Sequence, residues 1–279
     1  MKIKDIMSEE VVVIQDTEQV AYARNLMLKN GIGRIVVVDR DGDPIGIVTD
    51  RDITHKLSGK GPAWRRRPID KIAVRRVMNN NLITVAPGLN SKEAVDLMLK
   101  NDIGSLPVID QGELVGIITK TDLMKVYENK FRGKWRISEL MSSKVVTVNE
   151  NHAISHVINI MEENKIGRVV VIRDNEPVGI ITSENISFAQ IEDPGKGINV
   201  ERIYFVRPVE GEGKRNVRMI SMMTAGDIMT DRVVKLSSAD DASEAAKVMM
   251  ESEISGIPVV DDDELVGIIT KTDIIKAIQ

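Results

Sequence analysis

Apolar runs and polar breaks alternate along the chain in one fixed order, and that order returns four times. Each copy opens at a methionine: Met7, Met78, Met141 and Met229. A β-branched run follows at 11–14, 82–85, 145–148 and 233–236, which predicts a short strand. Helical spacing comes next. In the fourth copy Ala242, Ala245, Ala246 and Met249 fall at i, i+3, i+4 and i+7, one face of an amphipathic helix. The second copy places Ala94, Leu97 and Met98 in the same way. Unbroken apolar runs at 35–38, 106–109, 169–172 and 257–260 predict a buried strand. A polar turn then leads into a further apolar strand, so the two predict a hairpin. A second short helix starts where that strand ends. The predicted unit is β-α-β-β-α.

The repetition is literal in places. Glu-Leu-Val-Gly-Ile-Ile-Thr-Lys-Thr-Asp stands at 113–122 and again at 264–273, with Val-Gly-Ile-Ile-Thr at 178–182 and Ile-Gly-Ile-Val-Thr at 45–49. The closing Thr lies 42 residues after the opening Met in the first copy and 41 after it in the others. A second methionine column, Met27, Met98, Met161 and Met249, follows each opening Met by 20 residues and reads as helix core. A unit of roughly 50 residues has a sheet too small to bury itself, so copies are expected to pair. Chain order pairs one with two and three with four. The expected division is repeat one at 1–58, a basic linker at 59–75, repeat two at 76–128 and a linker at 129–138. Repeat three follows at 139–190, an insertion at 191–226 and repeat four at 227–279.

Composition narrows the class. Of 279 residues 42% are hydrophobic and 29% charged, the balance of a globular protein. The absence of Cys excludes disulfides, thiolate nucleophiles and thiolate metal sites. His152 and His156 stand four apart on the predicted helix of the third copy, with no third ligand in sight, so no metal site is assigned. Lys and Arg number 38 against 42 acids, which argues against nucleic acid as a partner. The stretch Trp64-Arg65-Arg66-Arg67, with Lys71, Arg75 and Arg76, keeps a nucleic-acid-binding regulator as an alternative. No apolar run approaches the ~20 residues of a membrane span, and the first eight residues lack the apolar core of a signal peptide. A cytoplasmic protein without a membrane segment is expected. No nucleophile elbow or Walker loop occurs, so neither catalysis nor a catalytic cofactor is expected.

The chemistry concentrates where the hairpins end. Thr-x-x-Asp recurs as Thr49/Asp52, Thr119/Asp122 and Thr270/Asp273, and as Thr182/Asn185 in the third copy. Thr followed by an acid three residues later is a capping box. The same carboxylate at a helix start suits the two hydroxyls of a ribose, beside a helix end that favours phosphate. Both readings stand together. Asn185 accepts through one oxygen only, so its site is expected to be the weakest or empty. A second column lies 27 residues after the opening Met: Arg34, Ser105, Arg168 and Gly256. Arg alternates with a small residue, which a column of freely solvated side chains has no reason to do. The planar donor fork of Arg suits phosphate. Arg51, Lys120 and Lys271 sit just after the closing Thr residues, where they either reach phosphates or face solvent.

Taken together, the β-α-β-β-α unit ending in Gly-hydrophobic-hydrophobic-Thr-x-x-Asp resembles the CBS (cystathionine β-synthase) domain. Four copies in one chain resemble the gamma subunit of AMP-activated protein kinase and its stand-alone archaeal relatives. The resemblance implies an α+β fold in which paired repeats form two modules packed as a disk. It implies an adenosyl ligand: AMP, ADP or ATP, with S-adenosylmethionine or NAD as alternatives. It also implies that a basic residue at Arg34 and Arg168 reaches phosphates, and that a Thr six residues after the opening Met touches the nucleoside. Only Thr84 and Thr147 match the latter; Val13 and Lys235 do not. The resulting expectation is a regulatory adenine-nucleotide sensor acting on a separate kinase, enzyme or transporter, and compatible with a homodimer.

Overall fold

The computed structural model describes residues 1–57, 71–188 and 223–279. The basic stretch Trp64-Arg65-Arg66-Arg67 and most of the 191–226 insertion lie outside the described residues.

Each repeat is built on an antiparallel hairpin. The pairs are β2 (Arg34–Val38) with β3 (Pro44–Thr49), β4 (Ser105–Asp110) with β5 (Glu113–Thr119), β7 (Arg168–Arg173) with β8 (Glu176–Thr182), and β9 (Gly256–Asp261) with β10 (Glu264–Thr270). Every hairpin carries one register shift, as between Leu265 and Gly267. The amphipathic helices are α1 (Val20–Asn30), α3 (Ser91–Lys100), α6 (Ile154–Glu163) and α9 (Ala242–Glu251). The methionine column is their buried face: Met27, Met98 and Met249 are fully covered and Met161 nearly so. After the hairpins come α2 (Asp50–Leu57), α4 (Lys120–Phe131), α7 (Ser183–Phe188) and α10 (Lys271–Lys276).

The first strand is complete in only two repeats. β1 (Val13–Gln15) pairs in parallel with β2, and β6 (Thr147–Asn149) with β7. In repeats two and four the strand shrinks to single parallel bridges, Val85 to Val108 and Leu236 to Val259. Proline is the cause. The Val36 N–H donates to the Val12 carbonyl, and the Val170 N–H to that of Val146. Pro107 and Pro258 occupy the equivalent positions and have no N–H to donate. A second departure is at His152, which precedes α6 rather than riding on it; its Nδ1 accepts the Asn149 N–H at 3.2 Å.

Repeats one and two, and repeats three and four, exchange their opening segments. Ile3 lies in the core of repeat two with Val85, Ala94 and Met98, while Val74 lies in the core of repeat one with Ile14 and Val20. In the second module Ile137, on α5 (Ile137–Leu140), joins the core of repeat four, and Ala225, on α8 (Ala225–Ile228), that of repeat three. Edge bridges seal the exchange: Ser8 to Ile117, Ile47 to Asn79, Ser142 to Ile268 and Ile180 to Thr230.

This exchange accounts for two invariants of the repeat at once. A Cβ on Gly116 would sit 2.6 Å from Met7 Sδ, one on Gly46 3.0 Å from Met78 Sδ, and one on Gly267 2.5 Å from Met141 Sδ. Gly179 meets Met229 in the same way. The opening methionine of one repeat therefore lies on the strand glycine of its mate, and only glycine leaves room for it.

The two modules meet through their closing helices. α4 packs on α9 and α10, merging repeats two and four into one apolar core with Leu123, Met124, Tyr127, Ile274 and Ile275 buried. α2 packs on α7 through hydroxyls: Thr54 Oγ1 donates to the Ser183 carbonyl at 3.0 Å, and Ser187 Oγ to the Asp50 carbonyl at 2.9 Å. The four repeats thus close into a disk through two joints, and at the second Phe188 of α7 also packs on the apolar core of repeat one.

Candidate nucleotide site at the centre of the disk

All four closing helices begin toward the middle of the disk. The capping box is present at each of them. Thr119 Oγ1 and N–H donate to Asp122 Oδ2 at 2.7 and 2.9 Å, and Thr270 to Asp273 Oδ2 at 2.6 and 3.0 Å. Thr49 donates to Asp52 Oδ2 at 2.6 Å through Oγ1 and 2.8 Å through N–H. In repeat three Asn185 Oδ1 takes the same two bonds from Thr182, at 2.9 and 2.8 Å. One side-chain oxygen is therefore engaged at every copy. The three Asp residues retain a second oxygen; Asn185 retains only an amide donor, 3.5 Å from Thr230 Oγ1. Burial raises the Asp52 pKa against the opposing hydrogen bonds from Thr49.

A cavity of about 720 Å³ runs through the centre and is lined from every repeat. Two equivalent recesses open into it. In one, Thr49, Asp52 and Ile47 of repeat one face Asn81, Leu82 and Ile83 of repeat two. In the other, Thr270, Asp273 and Ile268 of repeat four face Lys144, Val145 and Val146 of repeat three. Each combines a carboxylate with an apolar wall. Thr182 lines the cavity, but Thr119, Asp122 and Asn185 do not. The segment equivalent to Asn80-Asn81 and Ser143-Lys144 that flanks Asp122 is Glu9-Glu10, whose charge disfavours an anion there.

Between the recesses lie cations from all four repeats. Arg34, Lys120, Arg168 and Lys271 all line the cavity, with Arg51 beside them. None is freely solvated. Lys120 Nζ donates to Thr272 Oγ1 at 2.8 Å, and Lys271 Nζ to Thr121 Oγ1 at 2.9 Å, a reciprocal pair across the joint of repeats two and four. Arg51 donates to Asp102 Oδ2 at 3.3 Å and to the Lys165 carbonyl at 2.5 Å. Arg34 and Arg168 each reach over a small residue of the paired repeat: a Cβ on Gly104 would lie 2.6 Å from Arg34 Nη1, and one on Gly256 2.9 Å from Arg168 Nη1. Gly256 belongs to the column that alternates with Arg, whereas Gly104 stands one place before that column's Ser105. Arg168 Nε is buried without a hydrogen-bond partner.

These charges are held uncomfortably. Burial, helped by the nearby Arg34 and Arg168, pushes Lys120 and Lys271 down to about 8. Burial pushes Arg168 down to about 10, against the pull of Asp273 and Asp50. Arg34 is also lowered by burial, opposed by Asp50 and Asp122. Asp50 is pushed up to about 6 by burial, although Arg34 and the Arg51 N–H favour its charged form. Buried cations that repel one another bind best to a polyanion that neutralises several at once.

Sequence reasoning about Thr84 and Thr147 does not match this geometry. Thr84 is exposed and Thr147 is half-buried in β6; neither lines the cavity, and their neighbours Ile83 and Val146 do. Successive residues of an extended segment face opposite ways, so a shift of one position turns the side chain out. Asp50 was missed altogether. Its signal was the column after the closing Thr, where Asp50 and Ser183 alternate with Lys120 and Lys271. His152 and His156 meet edge to face at 4.8 Å, and no group of three candidate metal ligands forms among the described residues. No helix among these residues is long and apolar enough to cross a membrane.

The CBS domain model matches the chain four times, at residues 3–59, 74–129, 137–192 and 225–279. The chain belongs to the CBS domain family. Over 281 residues it is 30% identical to the uncharacterized protein MJ1404 of Methanocaldococcus jannaschii, covering 99% of this chain and 61% of that protein. The chain thus spans about three fifths of that relative's length. MJ1225 of the same archaeon is 25% identical over 284 residues, 98% of this chain and 97% of that protein. The crystal structure of MJ1225, described as a proposed archaeal homologue of g-AMPK, superposes with a TM-score of 0.85 at 23% identity, covering 100% of both chains. An uncharacterized conserved protein from Pyrococcus horikoshii superposes with a TM-score of 0.64 at 20% identity, covering 100% of both chains. At those identities the likeness is one of fold, and that fold is the four-repeat CBS disk.

Proposed function

We propose that this CBS protein binds adenine nucleotides (AMP, ADP or ATP) in the central cavity and reports their balance to a separate partner protein. The observation that carries the reading is the cation cluster set between two carboxylate-bearing apolar recesses. The adenine lies against Leu82 and Ile83, or against Val145 and Val146. The second oxygen of Asp52 or Asp273 accepts from the ribose. The phosphates lie toward Arg34, Arg168, Lys120 and Lys271. AMP and ATP then compete for the same recess but place different charge at the centre. That difference can drive a switch only through different affinities for two states of the disk. The joint between α2 and α7, bonded through the hydroxyls of Thr54 and Ser187, is the side better suited to move.

Titration calorimetry with AMP, ADP, ATP, NAD and S-adenosylmethionine tests the reading. The account expects the phosphorylated ligands to bind and an Arg34→Ala, Arg168→Ala double variant to lose about tenfold or more in affinity. S-adenosylmethionine carries a sulfonium that this centre repels. Tight binding of it, indifferent to the double variant, contradicts the reading.

A further inference from the structure

The two recesses are not separate chambers. They are ends of one cavity, and the cations between them belong to neither end alone. Lys120 and Lys271 each feel both Arg34 and Arg168, so the four charges form a single group. Their side chains come one from each repeat: the lysines bond reciprocally across the joint, and each Arg reaches over a glycine of its mate. Each end has its own carboxylate and apolar wall, although Asp50 follows Thr49 where Lys271 follows Thr270.

Two independent nucleoside triphosphates would bring two terminal phosphates, each carrying up to about −2, against the same cations. Joining the nucleosides through one phosphate chain removes both terminal groups and lets one set of cations serve the whole ligand. We propose that the cavity takes a single dinucleoside polyphosphate, one ribose at Asp52, the other at Asp273, and the phosphate chain across Arg34, Lys120, Arg168 and Lys271. The buried, unpartnered Nε of Arg168 is a donor the chain would satisfy. This inference rests on the adenine-nucleotide reading and adds to it the class of ligand that spans both recesses. Because the second nucleoside binds as part of a molecule already held, its recess sees a raised effective concentration.

The test is titration calorimetry and native mass spectrometry with diadenosine tri-, tetra- and pentaphosphate, alongside AMP and ATP. Asp52→Asn and Asp273→Asn are suitable variants, because Asn185 shows that an amide keeps the cap bonds while giving up the spare acceptor. The expected result is one dinucleotide per chain, tighter than AMP by about a hundredfold or more at the best chain length. It should displace mononucleotide from both recesses, and each single variant should bring its affinity back toward that of AMP. Two dinucleotides per chain, no dependence on chain length, or sensitivity to only one of the two variants overturns the inference. If AMP and ATP bind but no dinucleotide does, the inference fails and the nucleotide reading stands. If none of the five ligands binds, both fail.

Discussion

Asp273 shows how one residue can serve the fold and a ligand together. Its Oδ2 closes the capping box with Thr270, while Oδ1 meets only Lys276, at 3.2 Å. Fold and function can therefore be separated by choice of substitution. Asp273→Ala removes the box and should cost about 1 kcal/mol in urea unfolding, whereas Asp273→Asn should cost far less. Both should weaken nucleotide binding; equal stability loss in the two variants contradicts this division. Gly104 offers a second separation. A methyl there meets only the far end of Arg34, at 2.6 Å from Nη1, and that side chain can swing aside. Gly104→Ala should leave the unfolding midpoint nearly unchanged and lower ATP affinity more than that of adenosine. An equal loss for both ligands counts against a phosphate role for Arg34.

At the scale of elements, the exchange of opening segments decides how the repeats pair. Gly116 faces Met7 Sδ at 2.6 Å and the Ser8 carbonyl at 3.0 Å from where a Cβ would be, and backbone cannot swing aside. Gly116→Ala should destabilise by about 1–3 kcal/mol, read as a lower urea midpoint, and an unchanged midpoint would refute the account. The hairpins, amphipathic helices and Thr-x-x-Asp helix starts were legible in the sequence because their signals are local: apolar period, turn residues and capping spacing. The exchange was not, because nothing local says that Ile3 is buried in repeat two. The opening Met and the strand Gly were both visible as columns, but their contact joins residues of different repeats, Met7 with Gly116 and Met78 with Gly46. Likewise the prolines at 107 and 258 were visible, yet the strand they shorten was read from composition alone. The Arg alternation was legible as a pattern, but the glycine that each Arg reaches over lies in another repeat and was not.

At the scale of the whole molecule, the charges of four repeats converge on one space, and its titration should govern binding. Lys120 and Lys271 lose their charge as pH rises through about 8, and Asp50 gains its charge above about 6. Arg168, held near 10, keeps most of its charge over this range. Both changes make the centre less positive with rising pH, so above the second ionisation of the terminal phosphate, from about pH 7 to 9, nucleotide affinity should fall. Binding near neutral pH should take up protons, seen as a calorimetric enthalpy that varies with the buffer's own ionisation enthalpy. A flat affinity across that range would remove the central cluster from the account. The most direct measurement is a count of bound adenine nucleotides by native mass spectrometry in the wild type, the Asp52→Asn, Asp273→Asn double variant and Asn185→Asp. The account predicts ligand on the wild type, none on the double variant, and one added ligand for Asn185→Asp. A wild type that stays bare with AMP, ADP and ATP, or a double variant that binds as well as the wild type, contradicts it.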